Sequence, residues 1–276
     1  MTQTKILVTA ATGHVGFYVA EALQKKQIPF TAATRDAGKA KEKLGNSIDT
    51  VHLDYARQST FAPALEGIEI LFLSGPAATP NAEDMILPLA KEAKKQGVKH
   101  VVFIAVYPKV MDLLKESKID YTFIKANFFM QNFEMYQQGD IRDQNQIFMP
   151  TGKGKAPFIH TRDIGYVAGE VISRPEDFKN KILYLTGPEA IDHYKAAEIF
   201  SEVLGRKIEY KNPDNDAYRK EMKNRGYDKS YIDGMIGVFG KIKSGEVEQS
   251  SDTVEKVLKR KPISLKEYVI EKKNIF

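Results

Sequence analysis

Cysteine is absent from this chain of 276 residues. Its absence excludes disulfide bonds, thiolate catalysis and metal sites with cysteine ligands, and it agrees with a cytoplasmic protein. Hydrophobic runs are short, and no stretch approaches the roughly 20 consecutive apolar residues of a membrane-spanning helix. The N-terminus also lacks the basic segment, apolar run and small-residue cleavage site of a secretory leader. We therefore expect a soluble, unexported protein without a membrane partner.

A strong excess of one charge is also missing, because 41 basic and 36 acidic residues leave a net charge of +5. Most of these charges are expected on solvated helix faces, so no nucleic-acid partner is expected. The sequence contains no Gly-x-Ser-x-Gly elbow, no Gly-Lys-Ser/Thr phosphate loop and no His-Glu-x-x-His zinc helix. Nothing in it therefore indicates those chemistries, and no metal site is expected.

The N-terminal segment has the pattern of a strand, a tight turn and a helix. An apolar run at 6–8 is followed by small residues, by glycines at 13 and 16, and then by apolar residues at helical spacing. Small residues let the backbone approach a pyrophosphate closely, and the start of the helix offers unpaired N–H groups to that anion. The segment is interpreted as a dinucleotide site, with contacts from Thr9, Ala11, Thr12, Gly13, His14 and Val15.

The choice of cofactor depends on the end of a second strand, predicted over 28–34. Arg35 follows this strand and Lys39 lies one helical turn further on. Both cations suit the 2′-phosphate of NADP, whereas NAD-specific sites place an acidic residue there for the ribose. We therefore expect NADP(H) rather than NAD(H). The alternative for Arg35 and Lys39 is that they are ordinary surface charges. Asp36 also has two possible roles, as a ribose ligand or as the N-cap of a helix over 37–44.

Two further strand ends complete the predicted cofactor site. A third strand, over about 49–53, is followed by Asp54 and Tyr55. Asp54 is a candidate acceptor for the adenine amino group and Tyr55 a candidate flank for the ring, unless Asp54 simply caps a turn. The fourth strand is followed by residues expected under the nicotinamide ribose, Ser74, Gly75 and Pro76. A glycine permits this close approach, although Gly-Pro is also a common loop signal.

Strands and helices alternate at least five times with short connections. This alternation predicts an α/β fold with a Rossmann-type doubly wound parallel sheet, in which ligands bind at the carboxyl ends of the strands. The nucleotide-binding domain is expected over 1–150 and to be completed by about 157–187. The remainder, 188–276, is predicted to form a smaller, mostly helical lobe on the substrate side.

Short segments along nearly the whole chain share one family pattern: 9–16, 34–36, 72–76, 97–101, 120–124, 127–130, 158–164, 184–188 and 197–205. Together they resemble the NmrA-like branch of the atypical short-chain dehydrogenase/reductases. The resemblance is closest to members that reduce quinones, azo dyes or triphenylmethane dyes with NADPH, and to non-catalytic relatives that sense the NADPH/NADP balance. It therefore implies a bound NADP(H) and leaves both kinds of function open.

Two features depart from that family pattern. Ala10 stands where the glycine turn of the family usually has its first glycine, and alanine is strained there if the position needs a positive φ. The family also has a longer segment after the fifth strand, predicted here over 100–105, and this segment lines the nicotinamide pocket. In this chain residues 106–108 lead almost directly into the next helix, so the connection is cut short.

A catalytic tyrosine is the least defined part of the predicted site. Related dehydrogenases use Tyr-x-x-x-Lys, in which the lysine lowers the tyrosine pKa for proton transfer. Tyr107 lies at the right strand end and is the candidate, but Met111 replaces the lysine, and packing of the loop is its alternative role. The spacing occurs at two other places, Tyr121/Lys125 on a predicted core strand and Tyr268/Lys272 on a C-terminal helix.

An acceptor pocket is expected around aromatic residues in the middle of the chain. Phe128 and Phe129 are candidates to wall a flat conjugated acceptor, although aromatic residues at this spacing are also typical of helix core. His160 is either structural or a donor to the pocket. In the C-terminal lobe, Tyr227 and Tyr231 are candidate acceptor contacts, with packing as the alternative.

Two functions follow from these observations. The leading hypothesis is an NADPH-dependent oxidoreductase that transfers hydride to a quinone-like or other small aromatic acceptor. The alternative is a non-catalytic NADP(H)-binding regulator that senses redox state and lost catalysis with the shortened segment after Val106. In either case the protein is expected as a monomer or homodimer.

Overall fold

The computed structural model describes residues 4–76, 81–104 and 106–276. Its strands, in chain order, are β1 (Ile6–Val8), β2 (Thr31–Thr34), β3 (Asp49–His52), β4 (Ile70–Leu73), β5 (His100–Ile104), β6 (Asp120–Ala126), β7 (Gln146–Phe148), β8 (Lys181–Leu185) and β9 (Glu209–Lys211). The strands predicted in the first half of the chain are confirmed with slightly shorter bounds, and Ala105, the predicted end of the fifth strand, lies outside the described residues.

Helices make up most of the rest of the described chain. They are α1 (Gly16–Lys25), α2 (Ala37–Leu44), α3 (Phe61–Leu65), α4 (Ala82–Lys95), α5 (Pro108–Glu116), α6 (Gln131–Tyr136), α7 (Gln138–Gln144), α8 (Thr161–Ser173), α9 (His193–Leu204), α10 (Asn215–Asn224), α11 (Lys229–Lys243), α12 (Thr253–Leu258) and α13 (Leu265–Glu271). Short 3-10 turns occur at Gln58–Thr60, Pro175–Phe178 and Lys273–Ile275. None of the described helices is both long and apolar enough to cross a membrane.

Seven strands form one sheet in the order β3-β2-β1-β4-β5-β6-β8. The neighbouring pairs from β3 to β6 are all parallel; Leu7 of β1, for example, pairs with Thr31 of β2 on one side and with Leu71 of β4 on the other. The chain therefore winds outward in opposite directions from β1, which creates a switch point at the carboxyl ends of β1 and β4. The predicted Rossmann-type doubly wound sheet is confirmed.

The central strands are buried along their whole length. Every residue of β4 and of β5 is buried, whereas the edge strand β3 is partly exposed. Continuous apolar runs are typical of parallel strands with helices on both faces, because neither face meets water. The sequence of β4, Ile-Leu-Phe-Leu, satisfies this condition.

Helices α1 and α8 pack closely against each other on the sheet. Their contact depends on Gly165 and Gly169, one turn apart on α8. A Cβ atom at Gly165 would overlap the Cβ of Tyr18 and lie 2.8 Å from its carbonyl carbon, and a Cβ at Gly169 would lie 2.6 Å from the Cβ of Ala22. The two glycines therefore set how near the helices come.

The chain separates into two compact units. The first runs to Ala126 and also includes Thr161–Tyr184 and Val257–Lys259, whereas the second consists of Asn127–His160, Leu185–Lys256 and Arg260–Phe276. Residues 127–150, which were expected in the nucleotide-binding domain, thus belong to the second unit.

Packing explains this assignment. Phe133, Ile141 and Ile147 lie in the segment between β6 and α8, yet they share one buried core with Phe200 of α9 and Tyr210 of β9. In addition, β7 and β9 pair as a separate two-stranded parallel sheet. The C-terminal helices therefore complete a core that begins at residue 127.

Helix starts agree well with the cap residues in the sequence. Side chains of Asp36, Asp192, Asp214 and Asp228 cap α2, α9, α10 and α11, and Ser264 with Glu267 forms a capping box at α13. Helix α8 begins at Thr161, and Asp163 lies within its first turn. Short polar side chains satisfy the first free amides of a helix, which is why they mark these starts.

Candidate functional site

The turn after β1 holds a non-glycine residue in the left-handed region. Ala10 has φ of 50°, and its carbonyl oxygen accepts a hydrogen bond of 2.8 Å from the Gly13 amide. A Cβ atom at Gly16 would overlap that same carbonyl group, so glycine is required at 16. A Cβ at Gly13 would lie 3.2 Å from the Ala10 oxygen, which is tight but less restrictive. The turn keeps its shape with two glycines, at the cost of backbone strain at Ala10.

The start of α1 fits the pyrophosphate of a dinucleotide. Val15 occupies the N-cap position and provides no side-chain hydrogen bond to the helix. Thr12 and Gly13 are half-buried and His14 is exposed, while Ala11 and Val15 are buried. An uncapped helix start beside an accessible turn offers amide donors and a favourable helix dipole to an anion.

Thr9 has a structural role at the switch point of the sheet. Its side chain is fully buried, and its hydroxyl donates to the carbonyl of Phe72 at 2.9 Å and accepts from the amide of Ser74 at 2.9 Å. Thr9 thus ties the end of β1 to the end of β4. Its side chain has no exposed surface with which to contact a cofactor.

At the end of β2, the Asp36 side chain is hydrogen-bonded within the protein, whereas the side chains of the two cations are exposed. The Asp36 carboxylate accepts from the Lys39 amide at 3.0 Å and caps α2, which is the structural alternative considered for it. Arg35 and the Lys39 side chain are exposed. No sequence motif marks Lys43, but its ammonium donates to the carbonyl of Thr12 at 3.1 Å and so lies at the glycine turn.

Asp54 and Tyr55 are both engaged within the protein. Asp54 accepts from the amide of Ala56 at 3.0 Å, which makes it a turn cap, the alternative left open for it. The hydroxyl of Tyr55 donates to the carbonyl of Ser74 at 2.5 Å, and burial raises the pKa of Tyr55. Tyr55 therefore stays protonated and holds the loop after β3 to the end of β4.

Tyr107 packs against the Ser74–Pro76 segment. A Cβ atom at Gly75 would lie 2.9 Å from the Tyr107 ring, so the glycine makes room for this tyrosine. Burial, reinforced by the Glu83 carboxylate, raises the pKa of Tyr107, and its ring stacks on Phe103 with centroids 6.3 Å apart. The ammonium of Lys109 forms ion pairs with the carboxylates of Glu83 and Asp84. These contacts favour the packing role of Tyr107.

The other two Tyr-x-x-x-Lys pairs are also engaged in packing. Tyr121 stacks on Phe123 within β6, and Lys125 lies over the ring of Tyr184. Tyr268 is fully buried, its hydroxyl donates to Glu134 at 3.3 Å, and Lys272 pairs with the same carboxylate. Burial raises the pKa of Tyr268, which opposes a role as a proton donor.

The second unit contains an aromatic pocket with about 660 Å³ of empty space, part of it open to solvent. Phe128 and Phe129 line it, and α11 contributes Tyr231, Met235 and Phe239. Among the described lining residues none is acidic. Pockets lined mainly by apolar and aromatic side chains with a few polar groups are typical of small-molecule sites.

Four tyrosines line this pocket, Tyr136, Tyr218, Tyr227 and Tyr231, beside the polar side chains of Asn132, Gln137, His193 and Arg225. The rings of Tyr227 and Tyr231 stack with centroids 4.9 Å apart. Burial raises the pKa of Tyr136 and Tyr231 and that of Tyr218 to about 12. The phenols of Tyr136, Tyr218 and Tyr231 are therefore protonated at neutral pH and provide hydrogen-bond donors as well as aromatic faces.

His160 lies away from the lining of this pocket. It is fully buried, its Nε2 is 3.2 Å from the side-chain nitrogen of Gln131, and its ring meets the edge of Tyr268 at 5.6 Å. These contacts support a structural role for His160 rather than a role as a donor to the pocket. The histidine that does line the pocket is His193, the first residue of α9, which no sequence motif marks.

After β5 the described chain resumes at Val106. Helix α5 begins at Pro108, only two residues after the exposed Val106. Among the described residues no group of three or more His, Cys, Asp or Glu side chains is arranged to hold a metal ion.

A family model described as "NmrA-like family" matches residues 2–269. The chain belongs to the NmrA-like family. One relative of the chain is the NAD(P)H azoreductase of Xenophilus azovorans. The two are 32% identical over 269 residues, with 92% of this chain and 93% of the azoreductase covered. With this relative, the family match identifies the chain as an oxidoreductase.

Solved structures of NmrA-like fold agree with the architecture. The triphenylmethane reductase of Citrobacter sp. in complex with NADP(H) has a TM-score of 0.85 at 22% identity, with 97% of this chain and 99% of that chain covered. The NADPH-dependent quinone oxidoreductase QOR2 of Escherichia coli in complex with NADPH has a TM-score of 0.87 at 22% identity, with 96% and 99% covered. At this identity the two structures establish the shared fold.

Proposed function

We propose that this chain is an NADPH-dependent reductase that transfers hydride to a small conjugated acceptor such as a quinone or an azo compound. The observation that supports this best is the similarity to an NAD(P)H azoreductase along 92% of the chain. Hydride transfer to a conjugated system needs positioning and electrostatic help more than a Tyr–Lys pair. The packed state of Tyr107 is therefore compatible with catalysis.

The first unit has the groups that a phosphorylated dinucleotide needs. The uncapped start of α1 suits the pyrophosphate. Arg35 at the end of β2 and Lys43 beside the turn suit the 2′-phosphate, because both are exposed cations. Asp36 is occupied as a helix cap, which removes the main argument for an NAD-type ribose contact. This distribution supports NADPH over NADH.

The acceptor is proposed to bind in the aromatic pocket of the second unit. A bound nicotinamide supplies the hydride, and the protein holds the acceptor and excludes water. Phe128 and Phe129 offer flat faces for stacking, and the protonated phenols offer donors to a carbonyl oxygen or an azo nitrogen. The charge of Arg225 is matched by Asp140 through two hydrogen bonds of 2.7 and 2.9 Å, so the pocket suits a neutral acceptor.

The expected cytoplasmic location and the expected state of monomer or homodimer belong to the same proposal. Cell fractionation measures the first and size-exclusion chromatography with light scattering the second.

The experiment that tests this function is NADPH oxidation by the purified protein with a panel of quinones and azo dyes. We expect turnover above a blank without enzyme and a higher kcat/KM with NADPH than with NADH. A matched calorimetric titration with NADP measures binding separately. Binding without any turnover would contradict the reductase and favour the regulatory alternative.

A further inference from the structure

A chain of hydrogen bonds runs through the second unit from solvent to the aromatic pocket. It begins at the exposed Asn212, whose side-chain oxygen accepts from the hydroxyl of Tyr210 at 3.2 Å. The Tyr210 hydroxyl lies 2.7 Å from the Thr151 hydroxyl, which in turn lies 2.8 Å from Nδ1 of His193. His193 lines the pocket. We call these four residues the 212–193 chain.

The inner members of the 212–193 chain are shielded from bulk water. Thr151 is fully buried and His193 is 1% exposed, whereas Tyr210 keeps 6% of its surface. The His193 ring packs among aromatic neighbours, with centroids 5.4 Å from both Phe158 and Tyr210. Among the described residues, Nε2 of His193 has no hydrogen-bond partner, while Nδ1 is held by Thr151. The ring therefore has one nitrogen in the chain and the other left for a pocket ligand.

Packing alone does not require this arrangement. A buried polar group costs free energy unless it is hydrogen-bonded, and an apolar side chain of similar shape fills the same space without that cost. Here the polar side chains of Tyr210, Thr151 and His193 follow one another in space between Asn212 and a pocket rich in phenylalanine and tyrosine. Their mutual distances of 2.7 and 2.8 Å are those of well-formed hydrogen bonds.

The hydroxyl groups can be oriented in either direction along the 212–193 chain. The Tyr210 hydroxyl lies 2.8 Å from the carbonyl of Met149 and also accepts from the Thr151 amide at 3.2 Å, so it has alternative partners when its proton moves. Burial lowers the pKa of His193 to about 4, so the ring is neutral at neutral pH. A neutral imidazole can lose a proton from one nitrogen while it gains one at the other.

We infer that the 212–193 chain is a proton relay that delivers a proton from solvent to the acceptor bound in the aromatic pocket. This inference rests on the proposed function, because the acceptor needs a proton only if it is reduced there.

The relay supplies the proton that the reduction of a quinone or an azo compound needs besides the hydride. Hydride adds two electrons and one proton to the acceptor and leaves negative charge on an oxygen or nitrogen. The N–H bond at Nε2 of His193 breaks and an O–H or N–H bond forms on the product. Nδ1 of His193 takes the Thr151 hydroxyl proton, Thr151 takes that of Tyr210, and Tyr210 takes one from solvent. Asn212 passes no proton itself, because its amide oxygen only accepts a hydrogen bond from the Tyr210 hydroxyl at the exposed end of the chain. The net reaction consumes one hydride and one solvent proton.

The decisive comparison uses two kinds of acceptor. A quinone needs the proton, whereas a cationic triphenylmethane dye becomes neutral when hydride adds to its central carbon and needs none. The variant Thr151→Val keeps the shape of the side chain but interrupts the relay. Its matched control is Thr186→Val, a buried threonine of the same unit that bonds to the carbonyl of Gly187 and to the backbone of Ser251.

We expect Thr151→Val to lower kcat with the quinone by about tenfold or more and to leave kcat with the cationic dye close to that of the wild type. Thr186→Val is expected to leave both unchanged. An equal loss with both acceptors would show that Thr151 only supports the fold, and wild-type kcat with the quinone would also overturn the relay.

A second measurement applies if the dye is not turned over. The solvent deuterium isotope effect on kcat with the quinone is expected to be normal in the wild type and altered in Tyr210→Phe. Tyr194→Phe is the control, since that exposed ring only touches Tyr210 edge-on at 4.7 Å. The same isotope effect in Tyr210→Phe and wild type would overturn the relay alone. Absence of turnover with every acceptor in the wild type would instead overturn both the reductase and the relay.

Discussion

Ala10 shows how one residue changes a motif without removing it. The sequence identifies the position as unusual, but only the backbone angle of 50° shows that it lies in the left-handed region. A residue with a Cβ atom costs about 1–2 kcal/mol in this region relative to the right-handed one. The turn nevertheless keeps the hydrogen bond from the Gly13 amide to the Ala10 carbonyl, and glycine remains at 13 and 16.

We expect Ala10→Gly to raise the free energy of unfolding by about 1 kcal/mol, because glycine removes this strain. Urea denaturation followed by circular dichroism measures the change. The control is Ala217→Gly on the exposed face of α10, where loss of helix propensity is expected to lower stability by about 0.5–1 kcal/mol. A decrease of similar size in both variants would contradict strain at Ala10.

Arg35 and Lys43 are the residues on which cofactor choice is expected to depend. Each charge-assisted hydrogen bond to a phosphate contributes about 1.5–3 kcal/mol, so Arg35→Ala and Lys43→Ala should each lower the affinity for NADP roughly tenfold or more and leave the affinity for NAD nearly unchanged. Calorimetric titration with both dinucleotides measures this. Arg142→Ala is the control, as Arg142 is exposed and pairs with Asp143 in the second unit. Equal losses for NADP and NAD would exclude a 2′-phosphate contact.

At the scale of elements, the contact between α1 and α8 depends on glycines that let the two helices approach closely. Overpacking of a close helix contact costs about 1–3 kcal/mol. We therefore expect Gly165→Ala to lower the unfolding midpoint clearly, because even a methyl group overlaps Tyr18. Gly240→Ala on α11 is the matched control, since a Cβ there meets nothing within 4 Å and alanine favours the helix. If both variants had equal or higher midpoints than the wild type, the glycine contact would not limit the packing.

Elements of the first unit were predictable because their signals are local. Continuous apolar runs, the Asp36 cap and the glycine turn each act within a few residues, and β1 to β6 follow them closely. Residues 127–150 were expected in the nucleotide-binding domain, whereas they pack in the core of the second unit, and the reason is the opposite one. Helices α6 and α7 are short, and the residues that bury them, such as Phe200 and Tyr210, come much later in the chain.

At the scale of the whole molecule, the sequence identified the family, the fold and most residues of the candidate cofactor turn. It did not reveal that Thr9, Asp54 and Tyr55 are tied to neighbouring backbone, since hydrogen-bond partners between strand ends depend on the sheet order. Lys43 and His193 escaped notice because neither belongs to a motif. Both reach their sites only through the folded positions of α2 and α9.

The tyrosine-lined pocket has an optical consequence. The chain has 13 tyrosines and no tryptophan, so its ultraviolet emission comes from tyrosine alone. Four of those tyrosines line the pocket in the second unit. A dye that absorbs in the same spectral range and binds there should quench a disproportionate share of the emission by energy transfer. The protein thus carries its own label for occupancy of the pocket, and acceptor binding can be followed in the absence of NADPH and of any turnover.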